Sequence, residues 1–160
     1  MASIFNLPQN VSLYTIPVAW FLCLVPRVYA AHLYEKVSAA KFDNRYPRHL
    51  TKTVMECQNI DSCTKGRIVR AEMAQQNGFD NIGLFATAVI AGNMANISHT
   101  WLNAMSVGYL ISRIIYNLIF INNTTLILAW TRTAVFMSGV AMILTMFVLA
   151  GNKLALQQIA

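Results

Sequence analysis

Charge is scarce in this chain. Only 11% of its 160 residues are charged, where a soluble domain carries about a quarter. Apolar residues make up 56%. A compact domain of ~150 residues leaves roughly 30% of its unfolded surface wet, and with so few charges that surface would be one large adhesive patch. The composition argues against a soluble domain. It also argues against a disordered chain, which combines low hydrophobicity with high charge. Cysteine is scarce too: three residues, Cys23, Cys57 and Cys63, are too few and odd in number for a disulfide-stapled module. Cys57 and Cys63, with no second pair, do not make a zinc spacing. His32 and His49 lack a partner at ligand spacing, and no metal is expected. There is no Gly-rich phosphate loop or Gly-x-Ser-x-Gly elbow, no repeat and no low-complexity tract.

Long uncharged runs fill the space that charge leaves. The first charged residue is Arg27, and further uncharged stretches run from Asn81 to Ser112, between Arg113 and Arg132, and from Thr133 to Asn152. A membrane-spanning helix needs about 20 mostly apolar residues. The Asn81–Ser112 stretch is too long for one span, and its interruption from Gly92 to His99 reads as a turn. The pattern predicts a single all-α membrane domain over 1–160, with spanning helices at about 11–33, 67–93, 100–121 and 127–150. The N-terminal segment lacks the basic start of a signal peptide, and Arg27 follows its apolar run. Thr133–Asn152 has no polar stripe at helical spacing, which argues against a soluble bundle.

The net charge of +6 is unevenly placed. Lys36, Lys41, Arg45, Arg48, Lys52 and Lys65 fall in the 34–66 loop, and the turn between the second and third predicted helices holds no basic residue. By the positive-inside rule that loop faces the cytosol and both termini face the lumen. No aromatic-interleaved basic patch indicates nucleic-acid binding. Asn10-Val11-Ser12 and Asn96-Ile97-Ser98 are formal glycosylation sequons, but each hugs a helix end and is expected to stay unmodified.

A few charges lie where lipid should be. An ionised group in hydrocarbon is costly, so such residues face partners or water-filled cavities. At about 100° per residue, Arg70, Ala74, Asn77 and Asn81 share one side of the second helix within roughly 60°. Arg113 lies on the third helix, with Tyr116, Asn117 and Phe120 on its face, and Arg132 opens the fourth. Arg113 is expected to need a carboxylate, with Asp80 and Glu72 the membrane-embedded acids available. That pair could serve as a packing clamp alone, and Arg132 could simply snorkel to the interface. Alternatively, surplus guanidinium in the cytosolic half suits an anionic ligand or a developing thiolate or enolate, helped by the dipole at a helix N-terminus.

The run Arg70-Ala71-Glu72-x-Ala74-x-x-Asn77-x-x-Asp80-Asn81-x-x-Leu84-Phe85-Ala86 resembles the second-helix signature of the MAPEG family, the membrane-associated proteins in eicosanoid and glutathione metabolism. Arg113-Ile114-Ile115-Tyr116 is similar to that family's third-helix Arg-x-x-(His/Tyr) element. Arg132-Thr133 resembles its last arginine followed by a small hydroxyl residue. Phe42-Asp43-Asn44-Arg45-Tyr46-Pro47-Arg48 and Ala91-Gly92-Asn93-Met94-Ala95 are similar to uncharacterised filamentous-fungal members.

The resemblance implies a homotrimer of left-handed four-helix bundles in the membrane, in the endoplasmic reticulum. It implies glutathione in each subunit interface near the cytosolic face and a lipophilic electrophile as co-substrate. Arg70, Asn77, Asp80, Arg113 and Tyr116 would bind glutathione, and Arg132, with Thr133 as helper, would stabilise its thiolate. A thiol of pKa about 8.5 becomes nucleophilic near an arginine. Met73 stands where many members carry a second arginine, Phe120 where several carry tyrosine, Gly83 where proline is common, and Asp80 replaces a glutamate. A transferase, peroxidase or isomerase is the leading expectation. A non-catalytic lipid-binding scaffold and a glutathione-independent isomerase or cyclase of secondary metabolism stay open.

Overall fold

The computed structural model describes residues 9–159, which contain no strand. A 3₁₀ turn, Ser12–Tyr14, leads into α1 (Thr15–Ser38). A second, Pro47–His49, leads into the short α2 (Leu50–Glu56), and α3 (Ser62–Met94), α4 (His99–Ile121) and α5 (Leu126–Ile159) follow. The central helix is α3, packed against α1, α4 and α5, while α5 also lies along α4. One core gathers Phe85, Leu102, Tyr109 and Ile143, with the Phe85 and Tyr109 rings stacked at 4.0 Å.

Helix ends differ from the hydropathy reading because apolarity and helicity are separate properties. The expected end of α1 at 33 is passed because Tyr34 is buried in a second core with Leu50, Val54 and Ile68. The helix stops where Ala39 turns left-handed, at φ 54°. The start of α3 precedes the expected 67 because Asp61 caps it, its carboxylate accepting the Thr64 amide at 2.9 Å. That hydrogen bond holds the Asp61 carboxyl below an ordinary aspartate. Past Asn152, α5 continues through Lys153, Leu154, Ala155 and Leu156, all good helix formers. At about 1.5 Å per residue it is longer than the ~30 Å hydrocarbon core.

Three helices are long and apolar enough to cross a membrane: Ser12–Ser38, His99–Ile121 and Leu126–Gln158. The fourth long helix, α3, carries Lys65, Arg67, Arg70 and Glu72 in its first half and Asp80 just past its middle. Pro26 sits inside α1. Having no N–H, it leaves the Leu22 carbonyl without its intrahelical donor, and the Asn117 amide of α4 donates to that oxygen at 3.3 Å.

The 34–66 segment is a packed cap. Leu50 and Val54, four residues apart on α2, are buried against α1 and α3. Arg27 fastens the cap: it pairs with Glu72 at 2.5 Å, donates to the Pro47 carbonyl, and lies over the Phe42 ring at 4.8 Å. Farther out, Arg45 bonds Asp43 at 3.0 Å and holds its carboxyl below an ordinary aspartate.

At the opposite end, Asn10, Ser12, Asn93 and Asn103 bind the chain start to the α3–α4 turn. Asn103 accepts from the Val11 amide at 3.0 Å and donates to the Gln9 carbonyl at 3.0 Å, while Asn93 donates to Ser12 Oγ at 3.0 Å. The hydroxyl of the first sequon is therefore buried, whereas Asn96 and Ser98 of the second are exposed.

Candidate functional site: a cleft between three helices

Four of the seven expected site residues meet in one place. Asn77 from α3, Tyr116 from α4, and Arg132 and Thr133 from α5, with Phe120 and Phe136, line a cleft of ≈ 270 Å³. Helical spacing explains the assembly, since Tyr116 and Phe120, like Arg132 and Phe136, stand four residues apart on one face. The cleft lies toward the capped end of the bundle, between the last turns of α4 and the first of α5.

Its chemistry is cationic and aromatic. The Arg132 guanidinium lies over the Phe120 ring at 4.5 Å, and no carboxylate is among the residues that line the cleft. Tyr116, nearly buried, packs its ring against Phe120 and Phe136 at 5.5 and 5.7 Å. The Thr133 hydroxyl donates to the Ala129 carbonyl at 3.0 Å, so its oxygen can accept but its proton is engaged. Asn77 donates to the Met73 carbonyl at 2.9 Å. Arg132 stands in the second turn of α5, not its first. The macrodipole fades within the first turn, so the expected help from a helix N-terminus does not reach this residue.

Three expected residues lie elsewhere. Arg70 donates through Nε to the Ile121 carbonyl at 3.0 Å, capping the C-terminal end of α4 with a cation. Asp80 is exposed and lines a separate groove of ≈ 810 Å³ with Arg27, Arg48 and Glu72. Arg113 is 5% exposed and sits behind the wall made by Tyr116 and Phe136.

The expected carboxylate partner of Arg113 is a correction. Glu72 belongs to Arg27, Asp80 faces the outer groove, and no acid pairs with Arg113 among the described residues. Three π faces surround its guanidinium instead: Tyr109 at 5.0 Å, Tyr116 at 5.1 Å and Phe136 at 5.1 Å. It donates to the Phe136 carbonyl at 3.1 Å.

Sequence reasoning missed Phe136 as a cleft wall, although its position four residues after Arg132 was a usable signal. It also missed the Arg27–Glu72 pair, which joins the charge that follows the first apolar run to an acid of α3. Among the described residues no group of three potential metal ligands comes together.

A family model, that of the MAPEG family, matches residues 12–152. No curated protein and no solved structure matches the chain. With its four long helices in the order the resemblance implies, and with the family model covering nearly its whole length, the chain belongs to the MAPEG family.

Proposed function

We propose that this protein is a glutathione-dependent membrane enzyme, a transferase, peroxidase or isomerase, acting on a lipophilic electrophile. The observation that carries the reading is the cleft, where one guanidinium, Arg132, meets Asn77, Tyr116 and Thr133 with no lining acid. A site with net positive charge favours a thiolate over its thiol. Arg132 stabilises the sulfur anion, Thr133 accepts a hydrogen bond near it, and Asn77 and Tyr116 supply the polar contacts that orient the peptide. Phe120 and Phe136 give an apolar side on which the second substrate, arriving from the bilayer, can lie. Asp80, Arg70 and Arg113 act outside this first set of contacts.

The assembly is part of the proposal. Met73, Gln76, Asp80, Gly83, Thr87 and Ile90 are all exposed and recur every three or four residues along α3. A seam of that spacing suits helix-to-helix contact between copies and supports a homotrimer around α3. In that arrangement the polar half of α3 is shielded from lipid, which lets it serve as a fourth span. The six basic residues of the cap support a cytosolic cap with both termini lumenal; placement in the endoplasmic reticulum rests on the family resemblance alone.

The test is a glutathione titration of the detergent-purified protein by calorimetry, beside the Arg132→Ala variant. Wild-type binding at millimolar glutathione, with thiolate absorbance that disappears in Arg132→Ala, is expected. No binding by the wild type ends this reading. The aromatic walls favour one other reading, a non-catalytic lipid-binding scaffold. Turnover of an aryl halide or a hydroperoxide that is lost in Arg132→Ala excludes it.

A further inference from the structure

A buried guanidinium without a carboxylate is costly in a membrane helix, and at Arg113 every neighbour accommodates it. Tyr109 and Tyr116 stand four residues before it and three after, so α4 itself supplies two of its three π faces. The third face and a carbonyl acceptor both come from Phe136 of α5. Gly139, one turn beyond Phe136, leaves the space that the guanidinium fills, because a Cβ there would collide with the Arg113 fork. The void on the α1 side, lined by Cys23, Gly78 and Asn117, measures only ≈ 10 Å³. That is at the limit for a single water.

Two of the three rings that hold Arg113 are also walls of the cleft, seen from the other side. Tyr116 and Phe136 each present one part to the guanidinium and another to the cavity beside Arg132. We propose that Arg113 is a positioning residue for this cleft: it does not contact the ligand, and it fixes the distance and tilt between Tyr116 on α4 and Phe136 on α5. The planar fork is what the task needs, since it stacks on rings and reaches a carbonyl at once. A lysine ammonium is a compact point charge that cannot do both.

Because the inference rests on glutathione as the cleft's ligand, its test carries one readout that needs no ligand. Protein labelled with fluorotyrosine is studied by fluorine NMR, the Tyr116 signal being assigned by its loss in Tyr116→Phe. The variants are Arg113→Lys, which keeps the charge, and Gly139→Ala, which keeps Arg113 and displaces its fork. In ligand-free protein both are expected to move the Tyr116 signal. Both should weaken glutathione binding about tenfold, the size expected for losing one or two cation–π contacts. Weaker binding with an unmoved ligand-free Tyr116 signal would mean that Arg113 touches the ligand directly, and it overturns the proposal. Wild-type values for both measurements in both variants overturn it as well. If the wild type binds no glutathione while the Tyr116 signal moves in both variants, the functional reading falls and the positioning of Tyr116 stands.

Discussion

With Pro26 in the interior of α1, the Leu22 carbonyl lacks its intrahelical donor, and a membrane interior offers no water to replace it. Asn117 replaces it from α4. Substituting Asn117→Leu therefore orphans a buried acceptor, which costs about 1–3 kcal/mol, whereas the same change in a Pro26→Ala background leaves nothing unsatisfied. A double-mutant cycle read from denaturing-detergent unfolding should show coupling between the two sites. Arg113 teaches the same lesson about legibility. Its neighbours Tyr109 and Tyr116 share its helix face by spacing alone and could be read in advance. Phe136 and Gly139 reach it only through the packing of α5, which no local pattern encodes. Assuming that a buried guanidinium must meet a carboxylate overlooked rings and a carbonyl as alternatives.

At the scale of elements, α1 and α3 are joined by Arg27 and Glu72, both about 15% exposed or less. Breaking one partner of a partly buried pair leaves the other charge poorly compensated. Arg27→Met is expected to cost about 1–3 kcal/mol, less than at a fully buried pair, and Arg27→Met with Glu72→Met less still. Thermal unfolding in one detergent compares them. The start of α3 carries a pH signature as well. The Asp61 carboxyl is held below its ordinary value by the Thr64 amide. A depressed folded value means that its contribution is complete above the unfolded aspartate value of about 3.9 and is lost as pH falls through the folded one. Hydrogen exchange at Thr64 and Lys65 should therefore quicken, relative to mid-helix amides, on acidification below about pH 4, and Asp61→Ala should show the faster exchange at every pH. The order and number of long helices followed from runs of apolar residues, because α1, α4 and α5 are apolar along most of their length. Their ends did not, since a cap residue or a left-handed alanine stops a helix without changing its hydropathy.

At the scale of the whole molecule, what sequence spacing blurred was the direction of α3's polar residues. Asn77 and Asp80 are three residues apart, about 60° around a helix. That is enough to send Asn77 into the cleft and Asp80 onto an outer surface. The exposed seam to which Asp80 belongs includes Gly83, around which a Cβ would meet nothing within 4 Å of its own subunit. If three copies meet along this seam, that open space is filled by neighbouring α3 helices. Gly83→Trp tests the point, because indole is compatible with lipid and gains the helix propensity that glycine lacks. A lone subunit should insert and keep its helix content. Three bulky rings at one level of a close helical contact should force the copies apart, since overpacking is not absorbed by a well-packed interface. Size-exclusion chromatography with light scattering, in mild detergent, should show the trimer mass for the wild type and a smaller species for Gly83→Trp, with circular dichroism unchanged. A Gly83→Trp protein that keeps the wild-type mass means that this face of α3 meets lipid, and that the copies associate along a different surface.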